Sequence, residues 1–269
     1  MPPSRLPFPL AFLCLAALAS SAVAQPALSG RPAPAADRYQ TCLNNALSMP
    51  DGAYEDAMAW RAEGGGAPAE HCAAVALTGL RKYEEAAARL DRLASSPSAG
   101  DVSLRAQILA QAGNAWLLAG RPEQAIQSFN AALSLAPDDP DTLMDRARAS
   151  AIKENWAGAE RDLSAALAAN PSSVDALVLR ASARRAQGNV KGAEGDITRA
   201  LLLDANSLNA LVEYGLIRAA KGDKGGAREA FLAVLAKAPD SPAADSARAE
   251  IARLDVPQPR APRVLPAKP

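Results

Sequence analysis

The chain is short of the residues from which most active sites are built. Of its 269 residues only 4% are aromatic, one is histidine (His71) and three are cysteine. Lys plus Arg equals Asp plus Glu at 29 each, so no net field draws a phosphate backbone or an anionic membrane from a distance, and nucleic acid is excluded as the expected ligand. β-Branched residues are sparse beside alanine and leucine, which lose least side-chain entropy in helices; a sheet-based fold is disfavoured and an all-α one expected. No phosphate-binding loop or nucleophile elbow occurs. The glycine triplet Gly64-Gly65-Gly66 lacks the strand, lysine and spacing that a phosphate cradle needs. No enzymatic activity and no cofactor are expected.

Long apolar runs are also missing, with one short exception at the start. Arg5, the run Leu10 to Ala19 and the small residues Ala22-Val23-Ala24 follow the order of a secretory signal, with cleavage expected after Ala24. That apolar core is too short for a membrane span, which takes roughly 18 residues or more. Cys14 follows Phe12-Leu13, where lipoprotein processing wants small residues. Residues 1–24 therefore read as a signal peptide and the mature chain as periplasmic or secreted, with no span after cleavage. Residues 25–37, rich in Pro, Ala and Gly, read as a flexible linker, and 256–269, with prolines at 257, 259, 262, 266 and 269 among Arg260, Arg263 and Lys268, as a disordered tail.

What lies between is a repeat of 34 residues. With units starting at Ala106, Pro140, Val174 and Leu208, position 4 is Leu109, Leu143, Leu177 and Leu211. Position 8 is small: Gly113, Ala147, Ala181 and Gly215. Position 20 is always alanine (Ala125, Ala159, Ala193, Ala227) and position 24 large and apolar (Phe129, Leu163, Ile197, Phe231). Position 27 is Ala132, Ala166, Ala200 and Val234, and position 32 is proline in three of the four units, at Pro137, Pro171 and Pro239. Small residues let helix axes approach where they cross, and the large ones fill the volume beside them. Gly120, Gly188 and Gly222 stand at position 15, where a helix must stop and reverse, with Glu154 as the exception.

This pattern resembles the tetratricopeptide repeat family, closely over residues 106 to 239. The resemblance implies a right-handed superhelical solenoid of antiparallel helix pairs. Four such units are assigned to 101–240, degenerate helical repeats to 38–100 and a C-terminal capping helix to 241–255. Ala53-Tyr54-Glu55-Asp56-Ala57 and Lys82-Tyr83-Glu84-Glu85-Ala86 echo one phrase in the weaker part, and five extra residues interrupt the register between Ser95 and Asp101. Positions 7 and 11, often aromatic in the family, hold Trp116 and Tyr214 but also Arg146, Arg180, Arg184 and Arg218. These arginines are expected to lay their stems between helices and pair with Asp162 and Asp196, with anion binding as the alternative.

Family members bind peptides or helices of partner proteins on the concave face, lined by positions 2, 5, 6, 9, 12 and 13 of each first helix. Here those positions include Gln111 and Asn114, then Met144, Asp145 and Arg148, then Ser182 and Arg185, and finally Glu213, with Asp141 and Asp175 at position 2. The clamp by which some members hold chaperone C-termini is not reproduced: Asn114 matches, whereas Ala110, Asp145, Asp175 and Leu179 do not. The expected function is a non-catalytic scaffold of the bacterial cell envelope that binds another envelope protein. A reactive or metal site at Cys42, His71 and Cys72 is the alternative, although three ligands at this spacing make a weak metal constellation. In an oxidising compartment a Cys42–Cys72 disulfide is favoured instead: the two fall at positions 5 and 6 of consecutive units, on first helices that run side by side. Two free buried thiols remain the other possibility.

Overall fold

A computed structural model describes residues 35–256. The expected signal peptide, most of the expected linker and the expected tail beyond Val256 lie outside the described residues. Among these, thirteen helices and no strand are found. They are α1 (Ala35–Ser48), α2 (Pro50–Ala62), α3 (Gly66–Gly79), α4 (Tyr83–Ser95), α5 (Val102–Leu118), α6 (Pro122–Leu135) and α7 (Pro140–Ile152). The series continues with α8 (Trp156–Ala169), α9 (Val174–Ala186), α10 (Val190–Leu203), α11 (Leu208–Ala220), α12 (Lys224–Lys237) and α13 (Pro242–Asp255). Each helix packs on its neighbours in sequence, and the first helices α5, α7, α9, α11 and α13 touch in series, which makes the chain an all-α superhelical solenoid. No described helix is long and apolar enough to cross a membrane.

The helices start where polar side chains can hold their free amides. Asp101, Asp139, Asn155, Ser173, Asn189, Ser207, Asp223 and Ser241 each accept from a backbone N–H three residues on. Reversals need a left-handed residue at position 15. Gly120, Gly188 and Gly222 supply it at φ 71°, 80° and 81°, and Glu154 adopts φ 57° at the same place. Arg81, at position 15 of the unit that begins at Ala67, does the same at φ 59°. The turn geometry is thus imposed by packing of the helix pair even where a side chain opposes it. The interruption between α4 and α5 is partly helical: α5 runs for 17 residues where α7, α9 and α11 run for 13.

The repeat positions form the core. Ala125, Ala159, Ala193 and Ala227 at position 20 are buried, and so are Phe129, Leu163, Ile197 and Phe231 at position 24. Positions 8 and 24 are matched in volume. Glycine faces phenylalanine in the first and last of the four units (Gly113 with Phe129, Gly215 with Phe231), while alanine accompanies the smaller Leu163 and Ile197 in the middle two. A Cβ built on Gly215 would lie 2.5 Å from Phe231 Cε1, and one on Gly113 2.4 Å from Phe129 Cε1. Gly215→Ala is therefore expected to destabilise by about 2 kcal/mol through overpacking. Adding Phe231→Leu should recover part of that loss, a non-additivity that urea melts of the four combinations would measure. Strictly additive losses would refute the pairing.

Polar side chains bind the layers together. Arg146 at position 7 grips Asp162 with two bonds (2.8 and 2.7 Å) and reaches Asn130 of the preceding unit (2.8 Å). Arg180 repeats this on Asp196 (2.9 and 2.7 Å) and Ser164 (3.2 Å), and Arg184 joins the same Asp196 (2.8 Å). The expected pairing with Asp162 and Asp196 holds for Arg146, Arg180 and Arg184, whereas Arg218 pairs with Asp223 because position 23 of its unit is Ala230. One layer earlier the node is rebuilt from other residues: Trp116 Nε1 and Ser128 Oγ both donate to Asp91, each at 2.8 Å.

Candidate functional site

The first-helix residues at positions 2, 5, 6, 9, 12 and 13 open onto two clefts. One, of about 420 Å³, lies at the C-terminal end among α7, α9, α11 and α13. Its apolar wall is Val178, Leu179, Val212, Pro242 and Ala243; its polar groups include Arg148, Asp175, Ser182, Asn209 and Glu213. α13 contributes because Pro242 stands 34 residues after Leu208, so this helix is in register as a fifth first helix. The second cleft, of about 380 Å³, is bounded by Leu43, His71, Val75, Gln111, Asn114 and Leu118 among others.

The residues expected on this face are distributed as follows. Gln111 and Asn114 line the N-terminal cleft; Arg148, Ser182 and Glu213 line the C-terminal one. Asp145 sits between them, accepting from Asn114 Nδ2 at 2.7 Å and pairing with Arg148 one helical turn on. Met144 is half-buried and packs with Leu133 of the preceding unit as well as Leu143 and Ala166 of its own, with the Ser173 hydroxyl against its sulfur at 3.8 Å. Arg185 lines neither cleft and is held by Glu213, its Nε donating to Oε1 at 2.5 Å and its Nη2 to Oε2 at 3.3 Å. Glu213 is only 5% exposed, and burial pushes its carboxyl above the usual carboxylate range, opposed by the bonds from Arg185 and Ser182. The apolar wall of Val178, Leu179 and Val212 was missing from the residues singled out by sequence, although positions 5 and 6 of the same register point to it.

Cys42 and Cys72 bring their sulfurs into bonding contact across α1 and α3, with Cα atoms 6.1 Å apart. His71 turns away from both. The Tyr39 hydroxyl lies 2.5 Å from its Nδ1, and its Nε2 donates to Gln111 Oε1 at 2.7 Å, so one imidazole ties α1, α3 and α5. Burial lowers the His71 pKa, with the Gln111 bond opposing. The alternative of a shared site at Cys42, His71 and Cys72 is not assembled: the thiols face each other and both ring nitrogens have protein partners. Among the described residues no group of three His, Cys, Asp or Glu side chains comes together to hold a metal ion.

A family model described as the tetratricopeptide repeat matches residues 73–140, 144–210 and 193–242, more than half of the chain. No curated protein gives a significant match. Among solved structures, MamA 41-end from Desulfovibrio magneticus RS-1 aligns with a TM-score of 0.57 at 21% identity, covering 65% of this chain and 97% of that one. YrrB, described as a TPR protein with an unusual peptide-binding site, aligns with a TM-score of 0.54 at 19% identity over 71% of this chain and 96% of its own. Another crystal structure of MamA gives 0.54 at 17% identity, over 62% and 94% of the two chains. At these identities the likeness is one of fold.

Proposed function

The chain belongs to the tetratricopeptide repeat family, and from that premise we propose that it is a non-catalytic scaffold whose concave face holds an extended peptide or a helix of another protein. The observation that carries this reading is the pair of clefts on the first-helix face, each combining an apolar wall with polar groups able to set direction and register. YrrB, with the same fold, has a peptide-binding site in its description, which is consistent with such use.

We infer from the signal-like start, Arg5 through Ala22-Val23-Ala24, that this scaffold works in the bacterial envelope, periplasmic or secreted, with an envelope protein as partner. The Cys42–Cys72 pair supports the same compartment, since a bond between them would persist only where thiols stay oxidised. The pair is read here as a disulfide that fastens α1 to α3.

Crosslinking in intact cells followed by purification tests the groove. Asn114→Ala, Arg148→Ala and Ser182→Ala combined are expected to lose the partners that the unaltered chain retains, while far-UV circular dichroism stays the same. Arg185 is left in place, because its removal would strand buried Glu213 and confuse misfolding with loss of binding. Equal recovery of partners by both chains would overturn the groove assignment.

A further inference from the structure

The C-terminal cleft is built for a cationic occupant with an apolar stretch. Its walls are Val178, Leu179 and Val212 on one side and Pro242 and Ala243 of α13 on the other. Both arginines of this stretch of the face are already committed to its own carboxylates, Arg148 to Asp145 and Arg185 to Glu213. Asp175, which lines the cleft, and Asp141, one unit before it, are exposed, and among the described residues neither enters a salt bridge or side-chain hydrogen bond. What the cleft can still accept is positive charge beside an apolar group.

The chain carries a segment of that chemistry directly after α13. Residues 257–269 include Arg260, Arg263 and Lys268, no acidic residue, and the apolar pair Val264-Leu265 next to Arg263. We propose that this tail folds back along α13 and occupies the C-terminal cleft of its own chain, with Val264-Leu265 against Val212 and Pro242 and the cations toward Asp175 and Asp141. The occupant is a regulator of the face assigned above to partner binding, and the proposal rests on that assignment.

Reach permits it. A helix of the length of α13 spans about 21 Å at 1.5 Å per residue. The two helix-to-helix steps from α13 to α9 add roughly 20 Å sideways, at 8–10 Å each. The diagonal is therefore roughly 30 Å, and a proline-rich segment of this length extends to about 40 Å at 3.1 Å per residue. Laid back along α13 at that rise, Val264 and Leu265 would come level with its start and Lys268 would reach as far as Asp175.

Zero-length carbodiimide crosslinking of the full chain, which joins an amine to a carboxylate in contact, tests this directly. The expected product in the monomer fraction is a Lys268–Asp175 or Lys268–Asp141 link, found by peptide mass mapping. It should weaken in Val264→Ser/Leu265→Ser, which keeps both reacting groups but removes the apolar contact, and at high salt, where exposed charges are screened. Mixing ¹⁵N-labelled and unlabelled chains separates links within one chain from links between copies. Absence of the link, an unchanged yield in the Val264→Ser/Leu265→Ser variant, or its confinement to mixed-isotope dimers would each overturn the proposal. The cell crosslinking described above reads the groove through a different partner, so either idea can fail alone.

Discussion

Asp196→Ala is expected to cost about 3 kcal/mol, with the loss concentrated in α9 and α10, because it removes a buried carboxylate shared by two arginines. Asp196 is 5% exposed, and it accepts two bonds from Arg180 and one from Arg184. Without it two guanidinium groups stay between helix layers with their charge uncompensated, which is far worse than never having buried them. Arg184 keeps Glu160 at 2.7 Å and Arg180 keeps Ser164 at 3.2 Å, so the loss falls at the lower end of the range for broken buried pairs. In a solenoid each unit contacts only its neighbours, so the damage stays local. Hydrogen exchange should report lost protection in α9 and α10 while α3 and α4 keep theirs. Replacing Arg180 and Arg184 by methionine in the same chain should restore most of the stability. Uniform loss along the chain, or none, would show that the node does not join the layers.

That node could be read in advance only in part. Arginine at position 7 and aspartate at position 23 recur at the repeat spacing, so their pairing follows from the register. The third member, at position 25, is Asp91, Asn130 or Ser164 in successive units: a role kept while the residue changes, which residue identity does not reveal. The same reasoning explains Arg81 and Glu154, since a turn that must be left-handed is marked in sequence only where glycine fills it. The fold as a whole was readable because contacts at positions 8, 20, 24 and 27 are steric, and steric requirements restrict composition. Ala249, at position 8 of α13, stays exposed because no described second helix follows to cross it.

The candidate site was readable as a face but not as a set of partners. Register assigns Asn114, Asp145, Arg148, Arg185 and Glu213 to one side of the solenoid. Their pairing, Asn114 with Asp145 and Arg185 with Glu213, joins successive units and depends on side-chain rotamers, on which a 34-residue period says nothing. Met144 illustrates the limit from the other direction: its position lies on the groove side, yet its flexible thioether packs into the core between successive units.

The N-terminal end depends on a different kind of contact. α1 and α2 are held by a small cluster whose buried members are alanines and the two cysteines, with Tyr39, Tyr54, Met58 and Val75 only partly buried against it, so the small buried core leaves the helices open to fraying. Cys42→Ala/Cys72→Ala is therefore expected to cost roughly 3.5 kcal/mol, the chain-entropy value for a loop of this size. The sequence separation of the pair is 30 residues, which encloses all of α2. Protection against hydrogen exchange should fall in α1 and α2 and persist from α5 onward, and reductant should reproduce the effect in the unaltered chain alone. Intact mass supplies the independent readout: unfolding under reductant should add the mass of two hydrogens. No mass change, or equal exchange in both proteins, would mean that the two sulfurs meet without a bond and that side-chain packing alone holds the first pair of helices.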